Sequence, residues 1–144
     1  MAAAPAAVNA VAIDLEALAD TGPLWRAWLD DAHRRFRVDV TALDDQLPNW
    51  RQLLERFAEE RAAVYFRRDA AVGRILRTLQ DEGTNIGVFT EVPEELARVT
   101  LSQVGAARRV RVLETGPGAR ERLLRRLGPA ATVVCTRDQL LAVT

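Results

Sequence analysis

A chain of 144 residues, nearly half hydrophobic and 28% charged, has the make-up of one soluble globular domain and is short for two. Twenty arginines balance twenty acids, and lysine is absent, so neither broad electrostatic capture of nucleic acid or an anionic membrane nor lysine chemistry is expected. No apolar run approaches the roughly 20 residues that span a bilayer. The single cysteine, Cys135, cannot form an internal disulfide, and the start "MAAAPAAVNAVAID" lacks a basic n-region. Both features point to a cytoplasmic setting, and the charge balance and lack of a spanning run to no nucleic-acid or membrane partner.

The first strand is expected over about 8–13, an apolar run that reads as buried on both faces. Leu24, Trp25, Trp28, Leu29, Ala32 and Phe36 then recur at three- and four-residue steps, predicting a helix that begins near Pro23. "VDVTALDDQLPN" reads as a polar break, and Trp50, Leu53, Leu54 and Phe57 mark a second amphipathic helix ending in "EERA". Val72, Ile75, Leu76 and Leu79 make a third helix, closed by Gly83 at its C-cap. After it come the strand "NIGVFT", a helix from Pro93 to about Val104, the strand "RRVRVLE" and the helix "PGARERLLRRLG". The strand "ATVVCT" and a helical turn "RDQLLAV" close the chain. Alternation of strand and helix from residue 70 onward predicts βαβ units and a parallel sheet.

In an open parallel sheet, ligands gather beyond the carboxyl ends of the strands. Asp14, Thr90, Glu114 and Thr136 each fall at or just after such an end. Each also has a purely structural use: Thr136 with Gln139 forms a capping box, Thr90 can cap the helix entered at Pro93, and Asp14 can satisfy free amides.

Taken in order, these segments resemble the motifs of the haloacid dehalogenase-like (HAD) hydrolase superfamily. "AIDLEALADT" is similar to the family's DxDGT(L/V) segment with one loop residue missing and Glu for the second Asp. "NIGVFTEVPEEL" resembles the strand ending in Ser or Thr, and "ETGPGARERLLRRLG" the lysine segment KPxPxxxxxxxxxLG. "TVVCT" stands where a strand ending in GD is found. The resemblance covers essentially the whole chain. It implies a single α/β domain, a HAD-like Rossmannoid parallel sheet flanked by helices. The core spans about 6–22 and 66–144, and a small helical cap, about 23–62, is inserted after strand one.

It further implies Asp14 as nucleophile, Glu16 as general acid/base, Thr90 as a phosphate hydroxyl, and magnesium held in part by Asp14. Such a site works because cations offset the repulsion between a carboxylate and a phosphate dianion. The chain departs from the pattern at the decisive places. Glu114 replaces the lysine, Cys135–Thr136 replace Gly–Asp, and the loop after Glu16 lacks its glycine. Asp138 and Arg137 are the nearest replacements for the missing metal acid and phosphate cation, with Asp14 and Glu16 completing the metal set. Arg108, Arg109 and Arg111 read as solvated strand and loop charge.

The expected role is therefore binding or regulation by a pseudoenzyme, as a homo-oligomer or with a protein partner. The alternative is an active magnesium-dependent phosphohydrolase taking a phosphorylated small molecule. His33 reads as a surface residue and Cys135 as a buried, inert thiol. The three tryptophans read as core, with some left over for a dimer face.

Overall fold

The computed structural model describes residues 9–143. Four strands form one all-parallel sheet in the order β3-β2-β1-β4. They are β1 (Ala10–Asp14), β2 (Asn85–Thr90), β3 (Val112–Thr115) and β4 (Thr132–Val134). The central pair carries the continuous apolar runs and is buried almost throughout, as strands covered on both faces require. The outer pair is shorter and half-buried apart from Val134 of β4, which is enclosed in the core. The part of the first expected strand at Val8 lies outside the described residues.

Seven α-helices lie between and after the strands among the described residues: α1 (Gly22–Phe36), α2 (Leu43–Gln46), α3 (Trp50–Tyr65), α4 (Ala70–Asp81), α5 (Glu94–Val104), α6 (Ala119–Leu127) and α7 (Arg137–Leu141). None is long and apolar enough to cross a membrane. From β1 the chain steps outward to β2 and β3, then returns across the sheet through α6 to β4 on the far side of β1. A reversal of this kind opens a crevice at the carboxyl ends of the strands.

The alternation of side chains along each strand divides the core. Val11, Ile13, Ile86 and Val88 belong to one cluster with Leu76 and Leu79 of α4, Leu96 and Leu101 of α5, and Leu140 of α7. Ala12 and Phe89 pack with Ala119 and Leu123 of α6 in a second, smaller cluster. Gly87 makes that approach possible. A Cβ there would stand 2.6 Å from Leu123 Cδ1, closer than packed carbons allow.

The helical segment between β1 and α4 is continuous with the first cluster. Trp28 of α1 and Leu54, Phe57 and Ala58 of α3 join the same core as Val88 and Leu96. Trp28 is 2% and Trp50 7% exposed, and Trp28 stacks on Trp25 (5.6 Å between ring centroids) and lies tilted against Trp50 (5.8 Å). The tryptophans thus fill the seam between α1 and α3, and the dimer face expected of some of them is not formed by Trp28 or Trp50. The stretch read as a polar break is also ordered. Asp39 caps a 3-10 turn, Val40–Ala42, through Thr41, and Leu43 buries itself as α2 begins. β3 starts four residues later than expected, because the backbone turns back from Arg109 N–H to the Ala106 carbonyl before the ladder begins.

Candidate functional site

A cavity of about 430 Å³ opens at the carboxyl ends of β1 and β2, against the first turn of α6. Asp14, Glu16 and Thr90 line it, so three of the sequence-derived site residues do come together. The other polar walls are Glu91 and, from α6, Arg120 and Glu121. These three were not singled out from sequence. The "TGPG" run was the signal for the α6 residues, because Gly116 and Gly118 turn the chain into the helix with φ of 81° and 77°.

The loop after β1 answers to the core. Asp14 Oδ1 accepts the Glu16 N–H at 3.0 Å and caps a 3-10 turn, Leu15–Ala17. That turn drives Leu15, Ala17 and Leu18 into the interior, at 0%, 2% and 8% exposure. Apolar residues therefore occupy the stretch where a phosphate-wrapping loop would present amides. Glu16 closes the loop: its carboxylate accepts both the Thr21 N–H, at 3.1 Å, and the Thr21 hydroxyl. Thr21 is 2% exposed, so these bonds satisfy buried donors. Glu16→Ala should accordingly destabilise the fold by about 1–3 kcal/mol, with Glu16→Gln milder, as read by urea denaturation. An acid held only for proton transfer would leave stability unchanged when removed.

Glu114 does not line this cavity. In the strand register Phe89 stands between Asp14 and Glu114, which puts the two acids two strand spacings, roughly 10 Å, apart. Glu114 instead pairs with Arg122 Nε at 3.2 Å and Arg126 Nη1 at 3.5 Å, two arginines one turn apart on α6. Glu114 thus lies at a strand end, as the sequence suggests, but does not share one pocket with Asp14 and Glu16. Glu114 thereby anchors β3 to α6.

Arg137 also turns elsewhere. Its guanidinium grips Asp69 through Nε at 2.9 Å and Nη2 at 3.3 Å, away from the cavity. Asp69 in turn caps α4, accepting from the N–H groups of Ala71 and Val72. The Arg137 hydrogen bond, foremost, and the capping amides hold the Asp69 carboxyl below its ordinary value, and Asp69 raises that of Arg137. A carboxyl whose folded pKa is depressed adds stability above its unfolded value of 3.8, and that stability is lost as pH falls through the folded pKa. Wild type should thus lose stability below about pH 4 more steeply than Asp69→Asn, which keeps a capping side chain but no charge. Denaturation midpoints between pH 2 and 6 check this.

Thr136 accepts the Gln139 N–H at 3.1 Å and caps α7, while Gln139 Oε1 accepts the Cys135 N–H at 2.7 Å. Cys135 is half-buried rather than fully enclosed, because it lies just beyond β4. Asp138 is exposed in the first turn of α7 and does not line the cavity. The proposed magnesium set of Asp14, Glu16 and Asp138 does not assemble. Among the described residues, no three His, Cys, Asp or Glu side chains come together as a metal-holding group. His33 is exposed, its Nδ1 3.2 Å from the Val38 carbonyl.

The electrostatics of the cavity follow from these placements. Asp14, Glu16, Glu91 and Glu121 face it with Arg120 as the one cation among the lining residues. A phosphate dianion entering here meets net negative charge. No protein-family model, curated protein or solved structure matches the chain.

Proposed function

We propose that this chain is a HAD-like pseudoenzyme, a protein with the phosphatase architecture that acts by binding or regulation and turns over phosphate esters weakly or not at all. The four-stranded parallel sheet and the position of Asp14, Glu16 and Thr90 around one cavity support the HAD-like reading. The observation that carries the loss of activity is the engagement of the replacement groups. Glu16 holds Thr21, Glu114 holds Arg122 and Arg126, and Arg137 holds Asp69. With Arg120 alone facing four carboxylates in the cavity, attack by Asp14 would bring an anion onto an anion in a net negative site, and losing a single stabilising donor already slows acyl-transfer enzymes by about 10²–10³. The partner is a protein or a second copy of the chain, since the acidic cavity disfavours a phosphorylated ligand at that place.

The meeting of Asp14, Glu16 and Thr90 in one cavity favours the second reading, an active magnesium-dependent phosphohydrolase with Asp14 as nucleophile. Steady-state hydrolysis of p-nitrophenyl phosphate in excess magnesium separates the two. Asp14→Asn is a fair control, because asparagine caps as aspartate does. Wild type should be no faster than Asp14→Asn. Turnover by wild type that Asp14→Asn abolishes would establish the second reading.

A further inference from the structure

On the face of the sheet opposite α6, a groove of about 710 Å³ runs between α4 and the C-terminal end of α5. Arg68, Arg74, Arg77, Arg108 and Arg109 all line it. Arg74 and Arg77 stand three residues apart on α4 and so share a face. Arg108 and Arg109 come from the loop before β3, where the backbone turn at Ala106 and a hydrogen bond from the Arg109 guanidinium to Gln80 fix them against the end of α4. Arg68 lies along Gly105, where a Cβ would meet its Nη1 at 3.6 Å.

Asp69 is the only carboxylate among the lining residues, and Arg137 and the α4 amides already hold it. Among the described residues none of these five arginines takes part in an ion pair, although Asp81 follows Arg77 by one helical turn. A chain of zero net charge thus concentrates five guanidinium groups in one concave surface. Like charges gathered around one hollow raise its positive potential and draw anions to it.

We infer that this groove is a binding site for a small compound carrying two or more phosphate groups. Guanidinium forks match phosphate oxygens in pairs, and several forks around one hollow select a multiply charged anion over a single phosphate. The volume suits a small molecule. No aromatic side chain lines the groove, so it lacks the stacking platform on which single-stranded nucleic acid binds. The site is separate from the acidic cavity and stands whether or not that cavity has lost its chemistry.

The test is calorimetric titration of the full chain with inorganic tripolyphosphate at about 0.15 M salt, beside orthophosphate and a single-stranded oligonucleotide. The expected result is saturable one-site binding of tripolyphosphate, at least roughly tenfold tighter than orthophosphate. Arg74→Ala, Arg77→Ala and Arg108→Ala should each weaken it by about tenfold or more, the loss of one charge-assisted contact. Arg125→Ala, an exposed change on α6, should leave it unchanged. All four positions are exposed, and unliganded melting curves check that the variants fold. Absence of saturable binding would overturn the proposal, as would affinity lost in Arg120→Ala but kept in the groove variants. An oligonucleotide that binds more tightly than tripolyphosphate and displaces it would overturn it in favour of nucleic acid.

Discussion

Replacing Trp28 with alanine should destabilise the protein by about 3–5 kcal/mol and lower its melting temperature by roughly 10–20 °C, still in a single transition. Trp28 is a fully buried side chain in the seam between α1 and α3, with Trp25 and Trp50 on either side. Its loss removes the transfer energy of the indole, leaves a cavity among neighbours fixed by helix backbone, and breaks two aromatic contacts. The single transition is the more informative half of the expectation. Trp28 and the sheet residue Val88 belong to one continuous cluster, so α1 and α3 cannot melt while the sheet stays intact. A calorimetric trace in which Trp28→Ala splits unfolding into two steps would show that the helical segment is an independent lid.

Glu114→Lys should destabilise by about 2 kcal/mol, between the small value of an exposed ion pair and the 3–5 kcal/mol of breaking a buried one. Glu114 is only 16% exposed, whereas Arg122 and Arg126 are 37% and 57% exposed, so solvent screens part of the exchange. The substitution places a third cation against those two arginines. Arg122 also donates to the carbonyls of Thr115 and Pro117, so its displacement loosens the loop that leads into α6 and walls the acidic cavity. Glu114→Gln keeps an acceptor for both arginines and should lose less than half as much. Urea midpoints compare the three proteins. A Glu114→Lys variant as stable as wild type would mean that the side chain is free to face the cavity, as a residue in the lysine role would.

The sheet was legible because its central strands are short apolar runs bounded by turn residues, and two-sided burial leaves few other fates for "AVAID" and "NIGVFT". Helix ends were legible where a single residue decides them: Pro93 begins α5, and Gly83 at φ 79° follows α4. The start of β3 was not, because "RRVRV" alternates like a strand while one local turn keeps Arg108–Val110 from pairing and the first bond to β2 comes from the Arg111 N–H. The stretch between α1 and α3 misled for a related reason. Its polar residues read as a loop, yet Asp39 uses that polarity to cap a helical turn.

At the site, the strand ends carrying Asp14 and Thr90 could be read from position alone. The partners of the charged groups could not. Arg137 meets Asp69 across 68 residues of chain, and nothing local to either marks that approach. The spacing of Arg122 and Arg126 does put both on one face of α6, but only the docking of α6 against β3 reveals that Glu114 lies beneath them. Burial of Leu15, Ala17 and Leu18 is likewise a tertiary fact, and it explains a loop that otherwise reads as a motif with its glycine missing.

The most direct test of the proposed pseudoenzyme is whether Asp14 can form an acyl phosphate. Intact-mass spectrometry after incubation with magnesium and acetyl phosphate, quenched in acid, reads that bond without depending on the choice of substrate. The protein should keep its unmodified mass, indistinguishable from Asp14→Asn treated alike. A single added phosphoryl group that maps to Asp14, and is absent from Asp14→Asn, would contradict the account.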